Sequence, residues 1–296
     1  MMIPWYENEL EYTHGSAKIV CDSVNKYGDR LTTIEGIIWR PVLAEVNTHR
    51  VFSRNSASSR AIPLRRKNRR GTLDLIEDYP AGPMYWGAEQ SGMQSGEELD
   101  GLDLLLAKGM WDQARSEAIS FAEGLQECKL HKSLVNRLLE PFMWHRIIIS
   151  ATHWENFFAQ RSWHHNPKPP EPGPMPEFAI FATKIEDLLK ESTPQILGFD
   201  QWHLPYILPD EEHLPLEVKK SISVGRCARV SFLNHDLVKD PDEDVAFCER
   251  LKGGKPIHSS PFEHVATPGY DHPNNFQGWL QLRQVVEIDR GIKSLV

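Results

Sequence analysis

The stretch LTTIEGIIW at residues 31–39 is the strongest structural signal in this 296-residue chain. Its β-branched side chains partly alternate with polar ones, which is typical of a strand. Pro41 follows two residues later and predicts a short helix over residues 42–49. That helix would place His49 and Arg50 at its C-terminal end. The sequence therefore predicts a strand that leads directly to a polar, cationic segment.

Outward from this stretch, helical patterns are more common than strands and do not alternate regularly with them. They predict helices over 111–127, 131–139, 153–161, 178–189, 241–252 and 276–286, and residues 146–152 predict a buried strand or the start of a helix. Residues 71–101, rich in Gly, Pro and acid, predict a surface loop or lid. We expect an α+β fold with a mixed or antiparallel sheet, as one catalytic domain over residues 1–296.

Composition limits the class of protein. The net charge is −8, 40% of residues are hydrophobic and 25% are charged, which fits a globular protein and excludes disordered and collagenous chains. No apolar run reaches the roughly 18 residues of a membrane span, and no secretory signal is visible at the start. Four cysteines occur without a C-x-x-C pair. We therefore expect a cytoplasmic protein with no membrane and no nucleic-acid partner.

Positive charge is concentrated in one segment. Residues 46–73 contain eight Lys and Arg residues and no acid. Part of this segment, residues 65–70, fits a solvated basic loop. Residues 49–60 differ because they interleave arginines with four serines and an asparagine. Guanidinium forks and small hydroxyls suit a phosphate monoester, so this segment predicts a binding site for a small phosphorylated ligand.

Several common chemistries lack their signatures. The chain contains no G-x-G-x-x-G, no P-loop and no G-x-S-x-G motif. The pair His164 and His165 lacks partners at metal-ligand spacing, so no metal site is predicted. Cys227 lies between Arg226 and Arg229, which would lower its pKa if the side chains converge. A buried structural cysteine is the favoured interpretation.

Three further clusters carry weight only in combination. Arg137 precedes Pro141 by four residues, and Asn156 and Arg161 share one predicted helix, about 140° apart around its axis. Residues 258–264, HSSPFEH, form a turn that combines ring nitrogens, hydroxyls and a carboxylate. Alone, each has an ordinary structural explanation as a surface cation, a cap or a loop residue.

Together these clusters resemble the flavin-dependent thymidylate synthases, the ThyX family. The family's R-H-R-x7-S segment is similar to Thr48, His49 and Arg50 followed by Ser58 and Arg60. Its other motifs match residues 137–141 (R-x-x-x-P), 156–161 (N-F-x-x-x-R), 227–232 (A-A-R-V-S-F, here CARVSF) and 258–264 (H-x-[ST]-P-F-E-H). The last two precede R-H-R in the family but come late here, so the chain resembles a circularly permuted member. Residues 275–283 then occupy the place of a decayed second copy of the R-H-R helix.

The resemblance implies a ThyX-like fold and a reaction. FAD, reduced by NADPH, would act with methylenetetrahydrofolate as co-substrate to methylate C5 of dUMP and give dTMP. The family uses no cysteine nucleophile, and its sites form between subunits of a homotetramer. The implied partners are thus a small nucleotide, a folate and further copies of the chain.

The resemblance also assigns residues. Arg161 would be catalytic, polarising the N3 and O2 edge of the pyrimidine. The nucleotide would contact Glu45, Ser56, Ala57, Ser58, Ser59, Arg60, Arg137 and Arg161. FAD would contact His49, Arg50, Val51, Asn156, His258, Ser260 and Glu263. No metal ligand is implied.

Departures from the family pattern keep two alternatives open. Thr48 replaces the first arginine of R-H-R, Ser56 replaces an acid, and Glu45 replaces a glutamine. A carboxylate can accept a hydrogen bond from the N4 amine of cytosine. Flavin- and folate-dependent C5 hydroxymethylation of dCMP or dUMP is therefore the first alternative. The second is a non-catalytic ThyX homologue that only binds nucleotides.

Overall fold

The computed structural model describes residues 10–65, 71–92, 94, 96–230, 240–269 and 275–291. The expectations for residues 66–70, and for Ser231 and Phe232 of the CARVSF motif, lie outside the described residues. No helix in the described ranges combines the length and apolar character that crossing a membrane demands.

Within these ranges a mixed sheet of five strands forms the centre of the fold, in the order β3-β4-β2-β1-β5. The strands are β1 (Ser16–Asn25), β2 (Arg30–Trp39), β3 (Ser53–Ser56), β4 (Trp144–Ala151) and β5 (Gln195–Leu197). β2 pairs antiparallel with β1 and β4, β3 pairs antiparallel with β4, and β5 is parallel to β1. The expected α+β class and mixed sheet are confirmed.

Helices cover both faces of the sheet, which explains why nearly every residue of β2 and β4 is buried. Ile147 and Ile149 of β4 pack with α6 (Pro176–Glu191) in one cluster, while Ile148 points the other way to the end of α7 (Leu216–Arg229). α6 lies very close to β2 at Gly36, where a Cβ would collide with the Phe181 ring. That close approach requires glycine at this position.

The remaining elements surround this core. They are α1 (Leu43–Val46), α2 (Thr72–Asp78), α3 (Gly101–Glu127), α4 (Lys132–Val135), α5 (Glu155–Arg161), α8 (Pro241–Gly253), α9 (Leu282–Asp289) and the ribbon of β6 (Ala266–Pro268) with β7 (Trp279–Gln281). Four 3-10 helices span Arg40–Val42, Asn136–Phe142, Pro209–Glu211 and Ser260–His264 in the described part of the chain. α8 begins as predicted, because the Asp240 side chain accepts from the backbone amides of Asp242 and Glu243.

Several sequence predictions need correction. The helix predicted over residues 42–49 ends at Val46, so His49 lies in the turn after it. The segment 71–101 begins with α2 rather than loop, and α3 starts ten residues before the predicted Trp111. The predicted 131–139 helix is a short α-helix followed by a 3-10 helix that includes Pro141. Residues 276–286 are not one helix but β7 followed by α9, because residues 279–281 pair with β6.

Candidate functional site

His49 lies in a turn that directs its ring into the protein. Its amide donates to the Val46 carbonyl at 3.2 Å, and its carbonyl accepts from the Phe52 amide at 3.3 Å. The ring packs against Phe52, Phe157 and Phe178, with centroids 5.0 to 6.0 Å away. The residue is 7% exposed, and its Nε2 atom is buried without a hydrogen-bond partner among the described residues. Such a buried group normally has a partner, so the unpartnered Nε2 makes His49 a candidate ligand-binding residue.

The surroundings of His49 keep its ring neutral. Burial, followed by the positive charges of Arg161 and Arg54, lowers the pKa of His49 to about 4. At neutral pH the ring therefore carries one N–H donor and one acceptor nitrogen.

Arg161 ends α5 beside the same aromatic cluster. Its guanidinium carbon lies 5.2 Å from the centre of the Phe178 ring, a cation–π contact. Its Nε atom is buried and has no partner in the described part of the structure. Arg161 thus presents a fixed positive charge next to the neutral imidazole of His49.

A groove of about 610 Å³ opens between the His49 turn and α5. It is lined by Thr48, His49, Arg50, Val51, His153, Glu155, Asn156, Phe157 and Gln160. The groove brings together four of the residues assigned to FAD, namely His49, Arg50, Val51 and Asn156. Its size falls within the usual range for ligand pockets.

The HSSPFEH turn is connected to the groove only through other residues. The 3-10 helix Ser260–His264 packs against β3. Arg54 donates to the carbonyls of Val46 (3.1 Å) and His49 (2.9 Å), and the negative charge of Glu263 lies near enough to act on it. Arg283 in turn donates to Glu263. His258 and Ser260 are exposed and are not part of the groove lining, so the structure does not bring them together with His49 in one chain.

A second cluster, the Ser59 cluster, contains Arg40, Ser59, Arg137 and Glu140. One oxygen of Glu140 accepts hydrogen bonds from Ser59 Oγ at 2.5 Å, Arg137 Nη1 at 2.8 Å and Arg40 Nη2 at 3.2 Å. Asn136 fixes the serine loop by donating to the carbonyls of Ser59 and Ile62. The structure therefore brings the predicted anion segment and Arg137 together.

β3 separates the two clusters. It rises about 10 Å over its four residues, with His49 before it and Ser59 after it. Arg161 lies with His49 rather than with the Ser59 cluster, although the family resemblance assigned it to the nucleotide. Whether a neighbouring subunit combines the two clusters stays a prediction.

The other predicted nucleotide contacts vary in their setting. Ser56 ends β3, the Ala57 amide donates to the Arg146 carbonyl, and the Ser58 carbonyl accepts from the Ala61 amide. Arg60 is exposed and has no hydrogen-bond partner among the described residues. Glu45 has one buried carboxylate oxygen that lacks a partner in the same part of the chain.

Other candidates have structural roles. Arg65 is an ion-pair partner of Asp74, Glu77 and Glu123. His164 and His165 pair separately with Asp187 and Glu186, and no metal-binding group of three His, Cys or acidic residues occurs in the ranges described. Cys227 is fully buried, and this burial raises its pKa well above the usual value instead of lowering it. Arg226 and Arg229 pair with Asp244 and do not activate the thiol.

Sequence reasoning missed the groups that connect these clusters. Arg40 follows β2 and reaches Glu140 because Trp39 pairs with Trp144 at the start of β4. Glu140 lies three residues after Arg137, a spacing that places both on one face of a 3-10 helix. This sequence spacing could have indicated that Glu140 pairs with Arg137. The contact of Arg40 with Glu140 is revealed only by the strand pairing.

A chain of buried hydrogen bonds lies behind β3 and was also missed. His203 contacts Ser23 and Thr33, Thr33 contacts Ser150, and Ser150 contacts His264, at 2.6 to 2.9 Å. His264 Nε2 lies 3.4 Å from Asn55 Oδ1. Burial lowers the pKa of His203 and of His264 to about 3, so both rings are neutral at pH 7.

Comparisons with known proteins give little evidence about the relatives of this chain. No protein-family model and no curated protein matches the chain. Two crystal structures of the UMP/dUMP methylase PolB from Streptomyces cacaoi are similar to it. The one bound with 5-Br UMP is 12% identical, covers 59% of this chain and 88% of PolB, and has a TM-score of 0.41. The one bound with 5-Br dUMP is 14% identical, covers 55% and 66%, and has a TM-score of 0.40. A likeness of this strength carries no argument about the reaction.

Proposed function

We propose that the chain is a flavin-dependent enzyme that methylates C5 of dUMP, with methylenetetrahydrofolate as co-substrate and NADPH as reductant. The observation that carries the proposal is the buried, neutral His49, which lines a ligand-sized groove and whose Nε2 atom has no hydrogen-bond partner among the described residues. The motif resemblance supports FAD as the ligand of that groove.

The donor set of the groove fits a flavin. His49 offers a neutral ring nitrogen, Asn156 and Gln160 offer amides, and Arg50 offers a positive charge, which together suit the carbonyls and nitrogens of a flavin ring and a phosphate. These residues would hold FAD. When bound, FAD supplies the hydride that completes the methyl group.

The residues of the chain would bind and polarise the substrate. The serine loop and Arg137 would bind the phosphate of the nucleotide, since hydroxyls and guanidinium forks are strong donors to anions. Arg161 would hold positive charge at the N3 and O2 edge of the pyrimidine, which stabilises negative charge that develops there. Because each Arg161 lies by His49 of its own chain, we propose that the complete site uses the Ser59 cluster of a neighbouring subunit in a homotetramer.

Glu45 favours a second candidate, the C5 hydroxymethylation of dCMP. One of its carboxylate oxygens is buried and lacks a partner among the described residues, which is costly unless a ligand donates to it. The N4 amine of cytosine is such a donor, whereas uracil has none at that position.

One experiment separates these candidates. The purified protein is incubated with FAD, NADPH and methylenetetrahydrofolate, with dUMP or dCMP, and the product is weighed by mass spectrometry. Addition of a methyl group to dUMP supports the proposal, and addition of a hydroxymethyl group to dCMP supports the alternative. A protein that binds nucleotide but retains no flavin absorbance, with or without added FAD, would be the non-catalytic binder.

A further inference from the structure

Glu140 occupies a position that a phosphate oxygen would suit. Among the described side chains, one hydroxyl and two guanidiniums donate to its single Oε1 atom. Convergent charged donors around one oxygen are the usual arrangement at a bound phosphate group. Here a carboxylate of the chain itself receives them.

The charges of the cluster explain why an anion is needed there. Burial and the nearby charge of Arg137 lower the pKa of Arg40, while the charge of Glu140 opposes this effect. Arg40 also donates to Nδ1 of His145, whose buried ring is neutral because its pKa is well below the usual value. Glu140 is therefore the acid that separates two positive charges. An external anion at the same place would do the same.

The cluster is open to solvent on one side. The Glu140 side chain is 22% exposed and that of Arg137 is 50% exposed, whereas Arg40 is 14% exposed. Glu140 can thus turn outward by a change of side-chain rotamer, and Arg40 would keep its hydrogen bonds to the Ala57 carbonyl and to His145. Asn136 anchors the serine loop independently of Glu140, through two backbone carbonyls.

Resting on the proposed nucleotide function, we propose that Glu140 is a resident anion that occupies the phosphate position and must leave it when a phosphate monoester binds. Ser59, Arg40 and Arg137 then transfer their hydrogen bonds from the carboxylate to the phosphate. Glu140 thereby weakens phosphate binding and selects for anions that can displace a carboxylate, which makes it a specificity-determining residue.

The test compares inorganic phosphate binding, by isothermal titration calorimetry, in the wild-type chain, Glu140→Gln and Glu127→Gln. The last variant makes the same change of charge at an exposed position at the end of α3. Glu140→Gln should bind phosphate about tenfold more tightly, because a neutral amide competes less well for charged donors. Glu127→Gln should match the wild type. If Glu140→Gln binds phosphate equally or more weakly, the role of resident anion is wrong.

Three further measurements keep the outcomes distinct. Adding Ser59→Ala to Glu140→Gln should reduce the gain if the serine hydroxyl is transferred to phosphate. If Glu140→Gln does not fold, Glu140→Asp, which keeps the charge but shortens its reach, should still bind phosphate more tightly than the wild type, and a failure to do so overturns the proposal.

Titration with dUMP distinguishes failure of the proposed nucleotide function from failure of the role of Glu140. If Glu140→Gln binds phosphate more tightly but the protein does not bind dUMP, the proposed nucleotide function is wrong. If the protein binds dUMP but Glu140→Gln does not bind phosphate more tightly, the proposed role of Glu140 is wrong.

Discussion

His49 and Arg161 form the residue pair on which the proposed chemistry depends. The ring of His49 lies among phenylalanines, and the guanidinium of Arg161 lies over one of them. Neither side chain has its polar atoms fully satisfied within the described chain. A site that is short of partners before ligand binds is consistent with a binding role.

Replacing Arg161 should raise the pKa of His49. Arg161→Ala removes one of the two charges that lower it, so the pKa should rise from about 4 toward the ordinary value of 6.5. Arg161→Lys keeps the charge, and the pKa should stay low. NMR titration of the imidazole measures both. An unchanged pKa in Arg161→Ala would show that the two side chains are not coupled.

The turnover rates of the same two variants should show whether catalysis needs only the positive charge of Arg161 or also the geometry of its guanidinium. Arg161→Ala should reduce the rate of dUMP methylation by about 100-fold or more, as is usual when a donor to a developing anion is removed. Arg161→Lys should not restore it, because an ammonium lacks the planar fork of a guanidinium. Visible flavin absorbance should persist in both. Normal turnover by Arg161→Ala would exclude the catalytic role.

At the scale of elements, β2 and α6 form the closest contact in the core. Gly36→Ala should destabilise the protein by about 1–3 kcal/mol, because its Cβ would overlap the Phe181 ring. Gly109→Ala is the matched control. Gly109 lies in α3 with open space around a new Cβ, so alanine there should be neutral or stabilising by up to about 1 kcal/mol. Urea denaturation measures both, and equal effects would contradict the packing of α6 on β2.

The sequence predicted elements where one local pattern was dominant. β2 follows from a run of β-branched residues, and α8 follows from an N-cap, a proline and acids in the first turn. Prediction from the sequence was wrong where tertiary contacts, such as strand pairing, determined the structure. Residues 279–281 form a strand because β6 lies beside them. The first turns of α3 were missed because their leucines, among them Leu102 and Leu105, are exposed and form no inward-facing stripe.

The candidate site was predictable in its parts but not in its arrangement. Residues 48–51 meet Asn156, Phe157 and Gln160 at one groove because β3 pairs with β4, which leads to α5. Glu140 and Arg40 escaped notice because their roles arise from strand pairing and from the 3-10 turn. The spacing of Arg137 and Glu140 is local, but no local sequence pattern encodes the contact of Arg40 with Glu140.

For the molecule as a whole, buried neutral histidines make stability depend on pH. The pKa is lowered to about 4 for His49 and to about 3 for His203 and His264, so the unfolded chain binds more protons than the folded one as pH falls below about 6.5. Stability is therefore greatest above pH 6.5 and falls toward pH 4. The slope approaches about 1.4 kcal/mol per pH unit for each histidine.

Urea unfolding at pH 7 and pH 5 checks this dependence. His264→Gln should lower stability at pH 7, since it disturbs the buried hydrogen bonds to Ser150, yet its stability should change less between the two pH values. Equal stability of the wild type at pH 7 and pH 5 would contradict the buried neutral state of these rings.

We propose that the groove beside His49 holds a flavin that supports C5 chemistry on a pyrimidine nucleotide. Mass spectrometry of dUMP after incubation with the protein, FAD, NADPH and methylenetetrahydrofolate tests it most directly. We expect the wild type to form dUMP that carries one additional methyl group, and Arg161→Ala to form none. Unchanged dUMP and unchanged dCMP, from protein saturated with FAD, would contradict it.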